Sequence, residues 1–147
     1  MTANIIFHGI TNNAFDLAYD NADVESVSGT QVILLDSVSG YRTTITGTSF
    51  AFNAAETPVG GTVSKVTIRD CFNNLVLSIN SIAWGLPALD LAIQDLSNDQ
   101  TDESLFEGLL NLQPINFDGS GANIGGISGL TKSPNPSPFW AAIFVIR

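Results

Sequence analysis

The chain has 147 residues, enough for one domain with a real core and too few to call for a second. Hydrophobic residues make up 44% of it and charged residues only 13%, about half the usual share, so Ser, Thr, Asn and Gly must supply most of the polar surface. Fourteen acidic against five basic residues give a formal net charge of −9, which repels phosphate backbones and anionic headgroups and argues against nucleic-acid or membrane-surface partners. From the N-terminus, Asn4 to Ile10 alternates weakly and reads as a strand, closed by Gly9 and the turn residues Thr11, Asn12 and Asn13. It carries His8, the one histidine, with no cluster of partners near it in sequence, so an ordinary strand histidine is expected. Residues 14 to 25 place Phe15 and Tyr19 at helical spacing beside Asp16, Asp20, Asp23 and Glu25, as a helical turn or an acidic loop. The Asp-x-Asp-x-Asp-Gly order of a calcium loop is absent, which favours a solvated acidic face over a metal site.

Gln31 to Asp36 is a short apolar run between turn signals and fits a buried strand. Ser39-Gly40 then turns the chain into a meander from Tyr41 to Ile82, around which the rest is organised. Its first strand, Tyr41 to Phe52, is rich in Thr, Ile and Phe, which suit a pleated surface. After the loop from Asn53 to Val59, Gly60-Gly61 opens a run to Arg69 in which Val66 and Ile68 share one face and Lys65, Thr67 and Arg69 the other. Gly60 and Gly61 are expected to be structural turn residues with backbone angles that other residues avoid. Asp70 to Asn74 supplies a turn, and Leu75 to Ile79 begins a more apolar, hence more central, strand.

Pro87 stands at a first helical position, with Leu89, Ala92, Ile93 and Leu96 as the apolar stripe of an amphipathic helix. A second short helix follows, with Leu105, Leu109 and Leu112 on one face and Asp102 and Glu103 in its first turn. Asn116 to Gly126 reads as a glycine-rich loop. Pro134, Pro136 and Pro138 then favour an extended arm leading to a terminal strand, Phe139 to Ile146, that is apolar on both faces. This is the longest apolar run, far short of the about 20 residues that span a bilayer.

The run Thr46-Gly47-Thr48-Ser49-Phe50-Ala51-Phe52, followed by Pro58-Val59-Gly60-Gly61-Thr62-Val63 and an aliphatic strand, resembles the domain that flanks the repeats of RTX (haemolysin-type calcium-binding) secreted proteins. The likeness spans residues 28 to 130 and implies a non-catalytic, extracellular or surface-displayed scaffold. In the family's calcium turn, Gly-Gly-x-Gly-x-Asp-x-U-x, Asn123 stands here in place of the Asp and Gly125 in place of the aliphatic residue. A lone turn with those departures lacks the charge and the neighbour that tight calcium binding needs.

Catalysis has little footing in the pattern. His8 has no Gly-x-Ser-x-Gly or cysteine-protease signature to serve, no phosphate loop or zinc-ligand pair occurs, and Cys71 is the lone cysteine, which leaves no intrachain disulfide. A carboxylate-pair glycosidase needs only two acids, but few aromatics are available to stack on sugars. No enzyme, cofactor or metal is therefore expected.

Together these features predict a mainly β fold, an antiparallel β-sandwich or distorted barrel with one or two short helices, in a single domain over residues 1–133 followed by an arm and strand over 134–147. A positive mean hydropathy of +0.24 without a membrane span points to apolar surface hidden against other chains. The expected role is structural: a particle-surface subunit such as a phage capsid decoration (cement) protein, with a protein lattice or its own copies as partners. The alternative is a secreted or cell-surface RTX-like module exported by a type I system. Met1 to His8 lacks the basic and apolar regions of a cleaved signal peptide, so Sec-type export is not expected. Phe139, Trp140, Ile143, Phe144 and Ile146 are the expected interface.

Overall fold

A computed structural model describes residues 1–8, 21–98 and 104–118. Seven strands, β1 (Ala3–Phe7), β2 (Ala22–Val27), β3 (Gln31–Asp36), β4 (Arg42–Phe52), β5 (Pro58–Arg69), β6 (Leu75–Gly85) and β7 (Ile115–Asp118), join in one sheet in the order β2-β3-β4-β5-β6-β1-β7. Two helices, α1 (Leu86–Asn98) and α2 (Ser104–Leu110), stand between β6 and β7. The mainly β class with two short helices holds. The sheet is open, however, not closed into a barrel, and the described strands form no second layer of sheet. Nor is it wholly antiparallel, since β7 runs parallel to β1 with Ala3 opposite Ile115 and Ile5 opposite Phe117. A parallel neighbour needs a crossover, and the segment holding α1 and α2 supplies it.

Register explains the core. Because side chains alternate between faces, residues paired across the ladders line up in rows on one face. One such row runs Val27, Val32, Ile45, Val66, Ile79, Ile5 across β2, β3, β4, β5, β6 and β1, and the next runs Val24, Leu34, Thr43, Ile68, Leu77, Phe7. This inner face carries the hydrophobic cluster. The opposite face is polar: Gln31, Thr46, Lys65, Asn80, Asn4 and Asn116 form one row. A sheet with one apolar and one polar face needs cover on one side only.

That cover comes from α1. Pro87 lies at its second residue, where a missing N–H costs nothing, and Leu86, Leu89, Ala92 and Ile93 are buried. α2 packs on α1, and its buried face is Phe106, Leu109 and Leu110. The expected Leu105–Leu109–Leu112 face is thus corrected: Leu105 and Leu112 are exposed. Phe106 takes the inward position because its ring meets the edge of Trp84, with centroids 6.0 Å apart and planes at 75°.

Other boundaries shift. The acidic segment expected to be helical or a loop is in its second part strand β2, because Val24 and Val27 extend the apolar rows. Residues Asn116 to Asp118, expected as loop, belong to β7. β5 begins at Pro58 instead of after the glycine pair, so Gly60 and Gly61 lie inside a strand and not in a turn. Gly61 has φ of 119°, a conformation closed to most side chains, whereas Gly60 has an ordinary backbone. The register also slips in β4 around Ser49 (φ 58°) and in β6 around Ser81 (φ 59°), two bulges built on left-handed serines.

Candidate functional site

Helix α1 lies over β5 and β6, and its cover stops short of the β2 side of the sheet. The result is a groove lined by Val24, Val27, Val32, Leu34, Ile45, Phe52, Pro58, Leu86 and Ile93, with the carboxylates of Glu56 and Asp90 as its only charged groups among the described residues. Its outer wall is open: Val24 is 52% exposed and Val27 42%. The groove's cavity volume is about 60 Å³, on the order of four or five waters, which suits inserted side chains better than a whole free ligand.

The two carboxylates differ in how they are placed: Asp90 is held through its side chain, Glu56 only through the backbone of its loop. Asp90 projects from α1, accepts a hydrogen bond from Gln94 Nε2 at 2.8 Å, and is half-buried. Desolvation raises its pKa above the usual carboxylate value, only partly offset by the Gln94 amide. Glu56 sits in the β4–β5 loop with φ of 60°. Asn53 builds that loop, its Oδ1 accepting the Ala55 and Thr57 N–H groups while its carbonyl accepts the Glu56 N–H. The described basic residues, Arg42, Lys65 and Arg69, all lie on the polar face. The ion pair among the described residues joins Arg42 to Glu25, leaving the groove's two acids without a cation.

A second cluster lies on the polar face. His8 Nε2 is 2.9 Å from Ser78 Oγ, a contact between residues seventy apart in sequence, and the Asn80 amide donates to the same oxygen at 3.3 Å. A serine and a histidine in contact are the beginning of a nucleophile–base pair. Ser78 is only 4% exposed, however, and its hydroxyl is already engaged by two neighbours, so the contact ties the end of β1 to β6.

Of the expected site residues, Gly60 and Gly61 lie at the β4–β5 pairing near the closed end of the meander. Phe139, Trp140, Ile143, Phe144 and Ile146 lie outside the described residues, as do Asp16, Asp20, Asp102, Glu103, Asn123 and Gly125. Among the described residues, no group of three or more His, Cys, Asp or Glu side chains is gathered to hold a metal ion. No described helix is long and apolar enough to cross a membrane. The chain matches no family model, no curated protein and no solved structure.

The groove residues were not singled out by sequence. Val24 and Val27 stand among acids that read as a solvated segment, and Asp90 reads as the polar side of an amphipathic helix. Their meeting depends on which part of the sheet α1 covers, and no local pattern encodes that.

Proposed function

We propose that this protein is a non-enzymatic assembly subunit that docks onto a protein lattice at a particle surface, a phage capsid shell being the setting that its composition favours. The observation that carries this is the uncovered end of the inner face: Val24 and Val27 continue two apolar rows of the core out to a strand that is the sheet's outermost, and half of each is open to solvent. Apolar surface continuous with a core is the usual mark of an interface with another macromolecule. The low charged fraction and positive hydropathy support the same reading.

Edge-to-edge pairing of two copies is less favoured. β2 carries Asp23 and Glu25, and a bulge between Val24 and Ser26 breaks its register. Acids and bulges are devices that keep sheet edges from pairing with one another. The glycine and threonine pattern from Thr46 to Val63 supports the second setting, a secreted or cell-surface RTX-like module.

Quantitative mass spectrometry of gradient-purified particles against culture supernatant separates the two settings. Co-migration with particles at a fixed stoichiometry is the expected result. Recovery of the protein free in the supernatant, with none on particles, overturns the lattice reading in favour of secretion.

A further inference from the structure

The groove's chemistry narrows what fills it, given the docking reading above. An interface that only buried apolar area would have no use for two carboxylates, since burying an unpaired acid costs free energy. Here Glu56 and Asp90 border the same apolar walls, and neither has a described cation to pair with. We propose that the groove receives an apolar segment of a partner protein that carries one lysine or arginine, its apolar side chains covering Val24, Val27 and Leu34 and its cation meeting Glu56 and Asp90.

Three observations converge. First, the charge is complementary: a chain of net −9, whose described cations all lie on the opposite face, offers an acid-flanked groove to a basic group. Second, the shape suits a side chain with an apolar stem and a charged tip. A lysine or arginine can lay its methylenes along the groove wall at Pro58 and Ile93 while its head reaches the carboxylates. Third, Asp90 is already partly desolvated, and its raised pKa shows that the free protein holds that charge at a disadvantage which an arriving cation would relieve. A second copy of the chain is a poor occupant, because it would bring the same acids to the interface.

Fluorescence anisotropy on the full chain tests this. The probe is a short valine-rich peptide with one central lysine, kept soluble by a terminal polyethylene glycol, and its twin has norleucine in place of the lysine. The lysine peptide should bind about tenfold more tightly than its twin at low salt, and the gap should narrow as salt rises. Glu56→Gln combined with Asp90→Asn should abolish the gap without abolishing apolar binding, and its melting curve verifies that it is folded. Equal binding of both peptides to the native chain overturns the proposal, as does failure of either to bind, which means the groove is closed by the chain itself. Preserved discrimination in the double variant overturns it too. If the protein nevertheless co-migrates with particles, the docking reading stands and only the chemistry of the occupant is wrong.

Discussion

The Phe50 side chain lies directly over the backbone of Gly61, so that a Cβ built on Gly61 would stand 2.6 Å from Phe50 Cδ1 and 2.9 Å from its Cα. Gly47 makes the same approach from its own side, its Cβ position falling 2.8 Å from the Phe50 ring. The left-handed bulge at Ser49 turns Phe50 inward, and the Phe50 N–H donates to the Gly29 carbonyl at 2.9 Å to hold the turn in place. This part of the β4–β5 ladder therefore depends on two missing side chains.

Gly61→Ala should cost about 1–3 kcal/mol, from backbone strain and collision with Phe50 together. Gly60→Ala should behave differently. Its Cβ would meet only Ala51 at an ordinary 3.8 Å, and a stiffer unfolded chain should leave the variant unchanged or more stable by about 0.4–1 kcal/mol. Urea denaturation of the two variants checks the contrast.

Thr43 is fully buried in the inner face between Leu34 and Ile68, and its hydroxyl has no hydrogen-bond partner among the described residues. Thr43→Val removes an unsatisfied polar atom while keeping the shape. It should stabilise the protein by about 1 kcal/mol, against the usual destabilisation at core positions. A lower denaturation midpoint would mean that the hydroxyl is satisfied.

Asp36 is buried at the end of β3, where its carboxylate accepts N–H groups from Ser39 at 2.8 Å, Asn21 at 2.9 Å and Val38 at 3.0 Å. Burial acts to raise its pKa, but these backbone donors together outweigh it and hold the group below its ordinary value. A depressed folded-state pKa stabilises the fold above the unfolded-state value, near 3.9 for Asp, and that contribution is lost as pH falls through the folded-state value. Asp36→Asn should therefore be less stable than the native chain at neutral pH, with the gap closing below about pH 4. Thermal melts of both proteins between acid and neutral pH give the comparison.

Asp90 should show the opposite sign. Its raised pKa means that the folded chain binds the proton more tightly than the unfolded one, so ionisation at neutral pH costs stability that returns on acidification. Asp90→Asn should melt higher than the native chain at pH 7, and the difference should shrink as pH falls into the carboxylate range.

Much of the fold was legible because side-chain alternation survives in the sequence. Val66 and Ile68 on one face and Lys65 and Thr67 on the other set the register of β5, and Pro87 with Leu89, Ala92 and Ile93 marked α1. What local pattern could not show was anything decided between distant segments. The parallel pairing of β7 with β1 joins residues more than a hundred apart. The bulges at Ser49 and Ser81 rest on a left-handed conformation that serine does not advertise. α2 turned Phe106 inward instead of Leu105 because Trp84 was waiting on the neighbouring strand end. The groove belongs to the same class, since Val24, Glu56 and Asp90 come from three separate elements.

We propose that the β2 end of the inner face is built for docking and not for the fold. This is tested most directly by placing one charge at two points along the same sheet, in Val24→Asp and Ile45→Asp. Ile45 is buried in the middle of its row, so Ile45→Asp should unfold the isolated chain by circular dichroism. Val24→Asp should keep the native spectrum and melt within a few degrees of the parent, yet be lost from gradient-purified particles. If Val24→Asp unfolds the chain as Ile45→Asp does, or if it stays folded and remains on the particles, the exposed valines are not a docking surface and the account is contradicted.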